Sequence, residues 1–262
     1  MTLTPAEINA WLALYLLPLA RIGGLLMVAP FTAGAYVPVR VRLMLALAIT
    51  AAIVPALPAD VLGAAPAALP ALLLALAQQL LLGVAMGFVL QLVFNALVVA
   101  GQAIAMTMGL GFATTIDPAN GVAVPVLSQF LLIFGLLLFL ALDAHLALIG
   151  LLGESFRLLP LDGALGAAQW RALVDWAGLL FVGAVRIALP MLLALLVVNL
   201  AFGITSRAAP TLNLFAIGFP VSLLLGIVIL LIGLPSVAET FAVLVRQGLG
   251  FAGALPGAQV DG

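Results

Sequence analysis

Residue types that support catalysis are scarce in this sequence, which has one histidine, His145, and no cysteine. Asp143 lies two positions before the histidine, and residues with this spacing do not share a face of a helix. A zinc site or a proton relay therefore lacks its usual ligand set, and the pair is predicted to have a structural or helix-end role. No Ser-His-Asp set, phosphate-binding glycine motif or paired carboxylate is recognisable. We predict no catalytic residue, metal or cofactor.

Two arginines, Arg21 and Arg186, lie within long apolar stretches. A charged side chain at the centre of a membrane helix costs about 2.5–3.5 kcal/mol on insertion scales, so such residues usually face protein or water. Asp143, Glu154 or a carboxylate of another chain could be their partner, and snorkelling from a helix end is the alternative. Amides at apparent membrane depth predict either hydrogen bonds between helices or a water-lined path: Gln78, Gln79, Gln91, Asn95, Gln102, Gln129 and Asn199.

A turn-rich polar segment, GLGFATTIDPANGVAVP (109–125), interrupts this apolar chain. Glycines allow backbone conformations closed to other residues, and Asp117-Pro118 and Asn120-Gly121 favour tight turns. Met106 and Met108 flank the segment, where a flexible methionine suits a deformable seal, ordinary packing being the commoner role. At membrane depth, irregular backbone is tolerated only when it is buried in protein or lines water.

The elements that must position these residues are apolar helices. The chain has 262 residues, 66% of them hydrophobic and 6% charged, with a mean hydropathy of +1.41. Soluble domains carry roughly 25% charged residues, so this is a membrane-type composition. A net charge of −1 without a basic run leaves no electrostatic basis for binding nucleic acid. Six membrane segments are predicted near 11–29, 42–58, 69–99, 126–151, 175–205 and 212–236.

The third and fifth segments are long enough to be broken or tilted, and Pro190 lies inside the fifth. If all six cross, one side holds Arg157, Arg171 and Arg246 and the other holds Arg40, Arg42 and Arg207, so the positive-inside rule yields no orientation. Either the number of segments is off by one, or the helices are not independent spans in lipid. We predict one integral helical domain over 1–247 and a flexible C-terminal tail over 248–262.

Four stretches together resemble the FliR family of flagellar export-apparatus proteins, whose injectisome relatives form the SctT family. They follow the family's order over nearly the whole chain. The one departure is Asp143-Ala144-His145, where the family pattern is nearer Asn-Gly-His. The matching stretches begin RIGGLLMVAPF (21–50), GQAIAMTMGLGF (101–131), SFRLLP (155–160) and RIALPMLLALL (186–226).

The resemblance implies an all-α membrane-associated fold: a FliP-like part of helical hairpins followed by a FliQ-like hairpin whose turn is 206–213. It implies a single copy in a helical export-gate assembly with FliP-like and FliQ-like subunits, contacted by an FlhB-like subunit. Unfolded flagellar proteins would pass through the centre of this assembly. The location would be the bacterial inner membrane at the flagellar basal body, and the role structural and gating, not enzymatic.

The resemblance also implies roles for particular residues. The segment 109–125 would project into the channel and help to plug it, with Met106 and Met108 sealing it. Pro38, Arg40, Arg42, Arg186 and Arg207 would contact neighbouring subunits, and Arg207 could also cap the carbonyls that end its helix. The predicted plug residues are Gly109, Gly111, Phe112, Thr114, Thr115, Asp117, Pro118, Asn120 and Gly121.

Two other functions stay open at this point. A small-molecule secondary transporter would have discontinuous helices around polar groups at the midplane and repeat symmetry between its halves. The Pro190 position and Arg186 fit that scheme, but no convincing internal repeat is present. An intramembrane enzyme would need a reactive set on facing helices, for which Asp143 and His145 are the sole candidates.

Overall fold

The computed structural model describes residues 5–33, 37–58, 68–110, 125–208 and 214–257. All regular elements in these ranges are helical, which confirms the predicted all-α class. Short 3₁₀ turns, Val54–Ala56 and Leu255–Gly257, follow the third and the last helix. The helices are α1 (Pro5–Val28), α2 (Pro30–Ala33), α3 (Val39–Ile53), α4 (Leu69–Thr107), α5 (Val126–Ala141), α6 (Ala144–Leu158), α7 (Ala167–Ala177), α8 (Leu179–Ala208) and α9 (Leu214–Ala254).

Four helical stretches of the described residues are long and apolar enough to cross a membrane: 39–56, 69–107, 167–205 and 220–257. Counting α5 and α6 together as one broken span raises the number to five, not the six predicted. The remaining predicted segment, 11–29, lies on α1, which contributes the apolar stretch Leu14–Val28 among the residues whose side chains the structure describes. A spanning helix needs about 20 apolar residues. The chain is nevertheless a helical membrane protein, as its composition indicates.

The fourth predicted segment, 126–151, is broken where the departure from the family pattern lies. Asp143 has φ 52° and ψ 21°, and it is the one non-glycine residue with positive φ in the described part of the chain. Aspartate tolerates this left-handed conformation better than most residues. The turn at Asp143 separates α5 from α6. In contrast, α8 continues through Pro190, and α9 continues through Pro220 and Pro235.

The first of two compact units comprises residues 1–92, 143–178 and 245–262. Its α1 and the first half of α4 cross at glycines. A Cβ placed on Gly24 would clash with the Leu80 carbonyl, and one on Gly83 would lie 2.9 Å from the Leu25 nitrogen. Close approach of backbones is how apolar helices associate where lipid supplies no hydrophobic drive.

The chain end also belongs to this unit. Helix α9 continues to Ala254, and Ala252 and Leu255 are buried against Ala85 and Leu173. Trp176 of α7 stacks on Phe251, with ring centroids 5.2 Å apart. Residues 248–257 are therefore packed and helical, which corrects the prediction of a flexible tail from 248 onward. Glycine- and alanine-rich stretches such as GLGFAGALPG (248–257) are typical of linkers, and the sequence does not show which helices they pack against. Residues 258–262 lie outside the described ranges.

The second unit comprises residues 93–142 and 179–244. Phe94 of α4 lies edge-on to Phe139 of α5 and Phe241 of α9, with centroids 5.5 and 5.2 Å away. Such aromatic pairs contribute beyond the area they bury. Gly183 of α8 admits Leu244, because a Cβ on it would lie 2.8 Å from a Leu244 methyl carbon. This core joins the second half of α4 to α5, α8 and α9.

Candidate functional site

The helices on either side of the predicted plug, α4 and α5, are in close contact within the second unit. A Cβ placed on Gly101 of α4 would lie 2.7 Å from the Ser128 Cα of α5, so only glycine fits there. The Ser128 hydroxyl donates to the Val98 carbonyl at 2.9 Å. Helices α4 and α5, which flank the segment, are thus packed against each other. The following predicted plug residues lie outside the described residues: Gly111, Phe112, Thr114, Thr115, Asp117, Pro118, Asn120 and Gly121.

Gly109, the one predicted plug residue that is described, terminates α4. Its φ is 82°, a left-handed conformation that glycine adopts without strain. The Gly109 N–H donates to the Met106 carbonyl at 3.1 Å, and the Leu110 N–H donates to the Ala105 carbonyl at 2.9 Å. This pair of bonds is a Schellman motif, which satisfies carbonyls that a helix end leaves unpaired. The helix therefore ends abruptly where the turn-rich segment begins.

The two methionines predicted as a seal lie in different environments. Met108 is buried and packs on α9 at Gly226, where an added Cβ would lie 2.7 Å from its Cγ. Met106 is 64% exposed. The Asn199 amide of α8 also reaches the end of α4, donating to the Thr107 carbonyl at 3.5 Å. Met108 thus anchors the base of the segment, and Met106 faces outward beside it.

Arg21 is the most complete polar site in the first unit, and its exposed fraction is zero. Its Nε donates to Gln79 Oε1 at 2.6 Å, and its Nη2 donates to the Leu159 carbonyl at 2.8 Å. Its Nη1 donates to the Ser155 carbonyl at 2.8 Å and to the Ser155 hydroxyl at 3.2 Å. The guanidinium carbon lies 4.2 Å from the centroid of the Phe156 ring. The cation is therefore satisfied at the carbonyl end of α6, where the helix dipole is negative.

These partners differ from those predicted. Neither Asp143 nor Glu154 contacts Arg21, and the exposed Glu154 carboxylate lies 3.6 Å from Arg157 instead. Gln79, expected to bond between helices, does so: its amide also donates to the Leu161 carbonyl at 3.1 Å. The sequence contained no indication that the Ser155 carbonyl accepts from Arg21, because every residue has a backbone carbonyl whatever its side chain.

The arginines predicted to contact subunits are spread over both units. Arg40 and Arg42 lie in the first turns of α3 after Pro38, and the Arg42 Nη2 donates to the Val37 carbonyl at 3.1 Å. Arg207 lies exposed in the last turn of α8, the position required for its predicted interaction with the carbonyl end. Arg186 is exposed on α8 and has no hydrogen bond or ion pair within the described residues. The turn 209–213 that follows Arg207 lies outside them.

Within the described residues, no reactive set of side chains surrounds His145. Asp143 supplies the left-handed turn, and His145 lies two residues later in α6 with its Nδ1 buried and without a hydrogen-bond partner in the described residues. No group of three metal-ligating side chains occurs in the part of the chain described. The pair is therefore placed at a helix boundary, which is the structural role predicted for it.

Comparison with known proteins decides the family. The model of a family described as bacterial export proteins, family 1, matches residues 12–248. The flagellar biosynthetic protein FliR of Escherichia coli K12 is 41% identical over 239 residues, covering 91% of this chain and 90% of that protein. The chain belongs to the FliR family. The FliR proteins of Pectobacterium carotovorum and Aquifex aeolicus are 37% and 30% identical, over 90% and 87% of this chain.

FliR-family membership confirms the resemblance carried by the four stretches, all of which lie within the matched residues 12–248. The chain is thus a membrane component of a bacterial protein-export apparatus. These comparisons do not support a small-molecule transporter, although Pro190 and Arg186 fitted one. The continuous path of α8 through Pro190 also lacks the helix break that the transporter scheme invokes.

Proposed function

We propose that this chain is a structural and gating subunit of the flagellar type III secretion export gate. In this proposal the segment 111–124, with Gly109 at its base, closes the channel through which unfolded flagellar proteins are exported. The shared name of the FliR relatives, flagellar biosynthetic protein, supports a flagellar system over an injectisome. The role is structural and involves no catalysis.

The carrying observation is the fixed base of that segment. The contact of Gly101 with Ser128 packs the two flanking helices together, and the packing of Met108 on Gly226 anchors the end of α4. The 14 residues between Leu110 and Pro125 remain to form the plug. A fixed base lets a loop be displaced by a substrate without parting the helices beneath it. The turn-forming composition of 111–124 disfavours a helix and suits a compact, displaceable closure.

We further propose the partners and the location. FliP-like, FliQ-like and FlhB-like subunits would cover the exposed apolar faces of α8 and α9, because only 22% and 17% of the residues in their most apolar stretches are buried. An exposed Arg186 on α8 supports a protein neighbour, since a charge facing acyl chains is costly. The bacterial inner membrane at the flagellar basal body is the location this assembly requires.

The plug is tested by shortening 111–121 in cells that express the assembled complex. Without the plug, ions and small solutes should cross the gate, so the membrane potential should fall and solute entry should rise. Membrane-potential dyes and small-solute uptake measure both effects. The test requires no exported protein substrate, because it measures leakage through the closed gate.

The matched control is removal of 258–262, which shortens the chain and leaves the plug segment intact. Both variants must co-purify with the FliP-like and FliQ-like subunits in wild-type amounts. An assembled gate that keeps its ion seal after the shortening would contradict the plug.

A further inference from the structure

A groove of about 370 Å³ runs between α1 and α3 in the first unit. Its walls are apolar along most of their length, and Arg42 is the one charged residue among the described residues that line it. The volume falls within the range of about 300–1,000 Å³ that holds small-molecule ligands. The apolar walls include Leu19, Gly23 and Met27 of α1 and Leu43 and Ala46 of α3.

The groove is polar at one end only. On α3 its lining residues are Val39, Arg42, Leu43 and Ala46, which share one face of the helix. The Arg42 guanidinium is held at the start of α3 by its bond to the Val37 carbonyl. No acidic residue lies in the first turn of α3. The arginine and the positive end of the helix dipole together favour an anion at this end.

The size of the groove discriminates between occupants. An α-helix with its side chains is about 10–12 Å across, so a groove of about 370 Å³ admits individual side chains of a partner helix but not the helix itself. An acyl chain is slender enough to lie along it. The stretch 39–56 is also a candidate membrane span with most of its surface exposed, which places the groove beside lipid.

We propose that the groove binds an anionic phospholipid, with one acyl chain between α1 and α3 and the phosphate at Arg42. Basic pockets between membrane helices bind lipid headgroups in this way. Gly23 leaves the room for the chain: a Cβ added there meets no atom within 4 Å. This site is independent of the plug, since it involves no residue of 106–124.

The test uses the full chain purified with its partner subunits, stripped of lipid in detergent and titrated with phosphatidylglycerol or phosphatidylcholine. Native mass spectrometry counts the lipids retained. The wild type should retain phosphatidylglycerol about fivefold more strongly than phosphatidylcholine. Arg42→Gln should remove that preference, whereas Arg171→Gln, which removes the same charge from an exposed position on α7 outside the groove lining, should keep most of it.

Filling the groove should abolish the binding of both lipids. Gly23→Leu places a side chain in the open space, and Ala20→Leu fills the same wall from the preceding turn. Gly250→Leu is the control, because Gly250 is an exposed helical glycine with equally open space and lies outside the lining.

Three results would overturn the proposal. Equal retention of phosphatidylglycerol by the wild type and both filled variants would place the lipid elsewhere. An unchanged headgroup preference in Arg42→Gln would remove the phosphate site. Loss of a partner subunit from Gly23→Leu with unchanged lipid retention would identify the groove as a protein contact.

Discussion

At the scale of single residues, Arg21 shows how a cation is accommodated in an apolar protein without a carboxylate. Its planar fork directs donors at the Gln79 side chain and at carbonyls of Ser155 and Leu159, while its face lies on Phe156. Lysine has a compact ammonium that cannot reproduce this geometry. The specificity for arginine therefore comes from the direction of the bonds more than from charge.

Arg21→Lys should lower the free energy of unfolding by about 1.5–3 kcal/mol, the worth of at least one hydrogen bond to a charged group. Thermal unfolding of the purified chain in detergent measures the loss. Arg157→Lys is the control, since Arg157 is exposed and pairs only with Glu154 at 3.6 Å in the described structure. Equal melting temperatures for the two variants would show that the bonds of Arg21 are not stabilising.

At the scale of elements, the crossing of α1 and α4 depends on which face a glycine occupies. Gly24 faces α4, where a Cβ would meet the Leu80 carbonyl and lie 3.1 Å from the Val84 nitrogen. Its neighbour Gly23 has open space around the same position. Backbone atoms cannot move aside as a side chain can, so the two positions should respond oppositely to the same methyl group.

Gly24→Ala should destabilise the chain by about 1–3 kcal/mol, as overpacking does. Gly23→Ala should be neutral or stabilising by up to about 1 kcal/mol, because alanine is the better helix former. Detergent-resistant folded yield and melting temperature, measured on both variants in parallel, test the difference. A similar loss in both would mean that helix flexibility, and not the close crossing, requires glycine here.

At the scale of the whole molecule, burial is divided unevenly among the long helices. In the most apolar 18-residue stretch of α4, two thirds of the residues are buried, compared with about a fifth in that of α8 and fewer in that of α9. Most of α4 is covered by other residues of the chain, whereas α8 and α9 have largely exposed apolar faces. On α8 that face includes Leu189 and Leu193 in the same stretch as the exposed Arg186. A charge in such a face favours a protein neighbour bearing a carboxylate.

If the proposed FliP-like and FliQ-like subunits supply that carboxylate, Arg186→Gln should reduce the amount of them that co-purifies with this chain by at least tenfold, because the carboxylate would lose its partner. Quantitative mass spectrometry of the purified complex measures the ratio. Arg171→Gln, on the exposed side of α7, is the control and should keep the wild-type ratio. Unchanged stoichiometry in Arg186→Gln would assign this arginine to lipid headgroups instead.

The amino-acid sequence by itself determined the class, the family and the approximate extent of most helices. These properties are local or compositional: an apolar run of about 20 residues specifies a membrane helix wherever it packs. The turn-forming chemistry of 109–125 is likewise readable from residue types, and Gly109 does end its helix as such a residue should. The break at Asp143 was visible only as a departure from the family pattern.

The tertiary structure alone decided which groups meet. The acceptors of Arg21 lie 58, 134 and 138 residues away along the chain, and two of them are backbone carbonyls that no residue type announces. The burial of Met108 beside the exposure of Met106, and the packing of Ala252 at the chain end, likewise depend on which helix lies opposite. In a uniformly apolar helix the residue pattern does not show which side is buried, because nearly every side is compatible with burial. Close contacts at glycines and hydrogen bonds therefore select the arrangement.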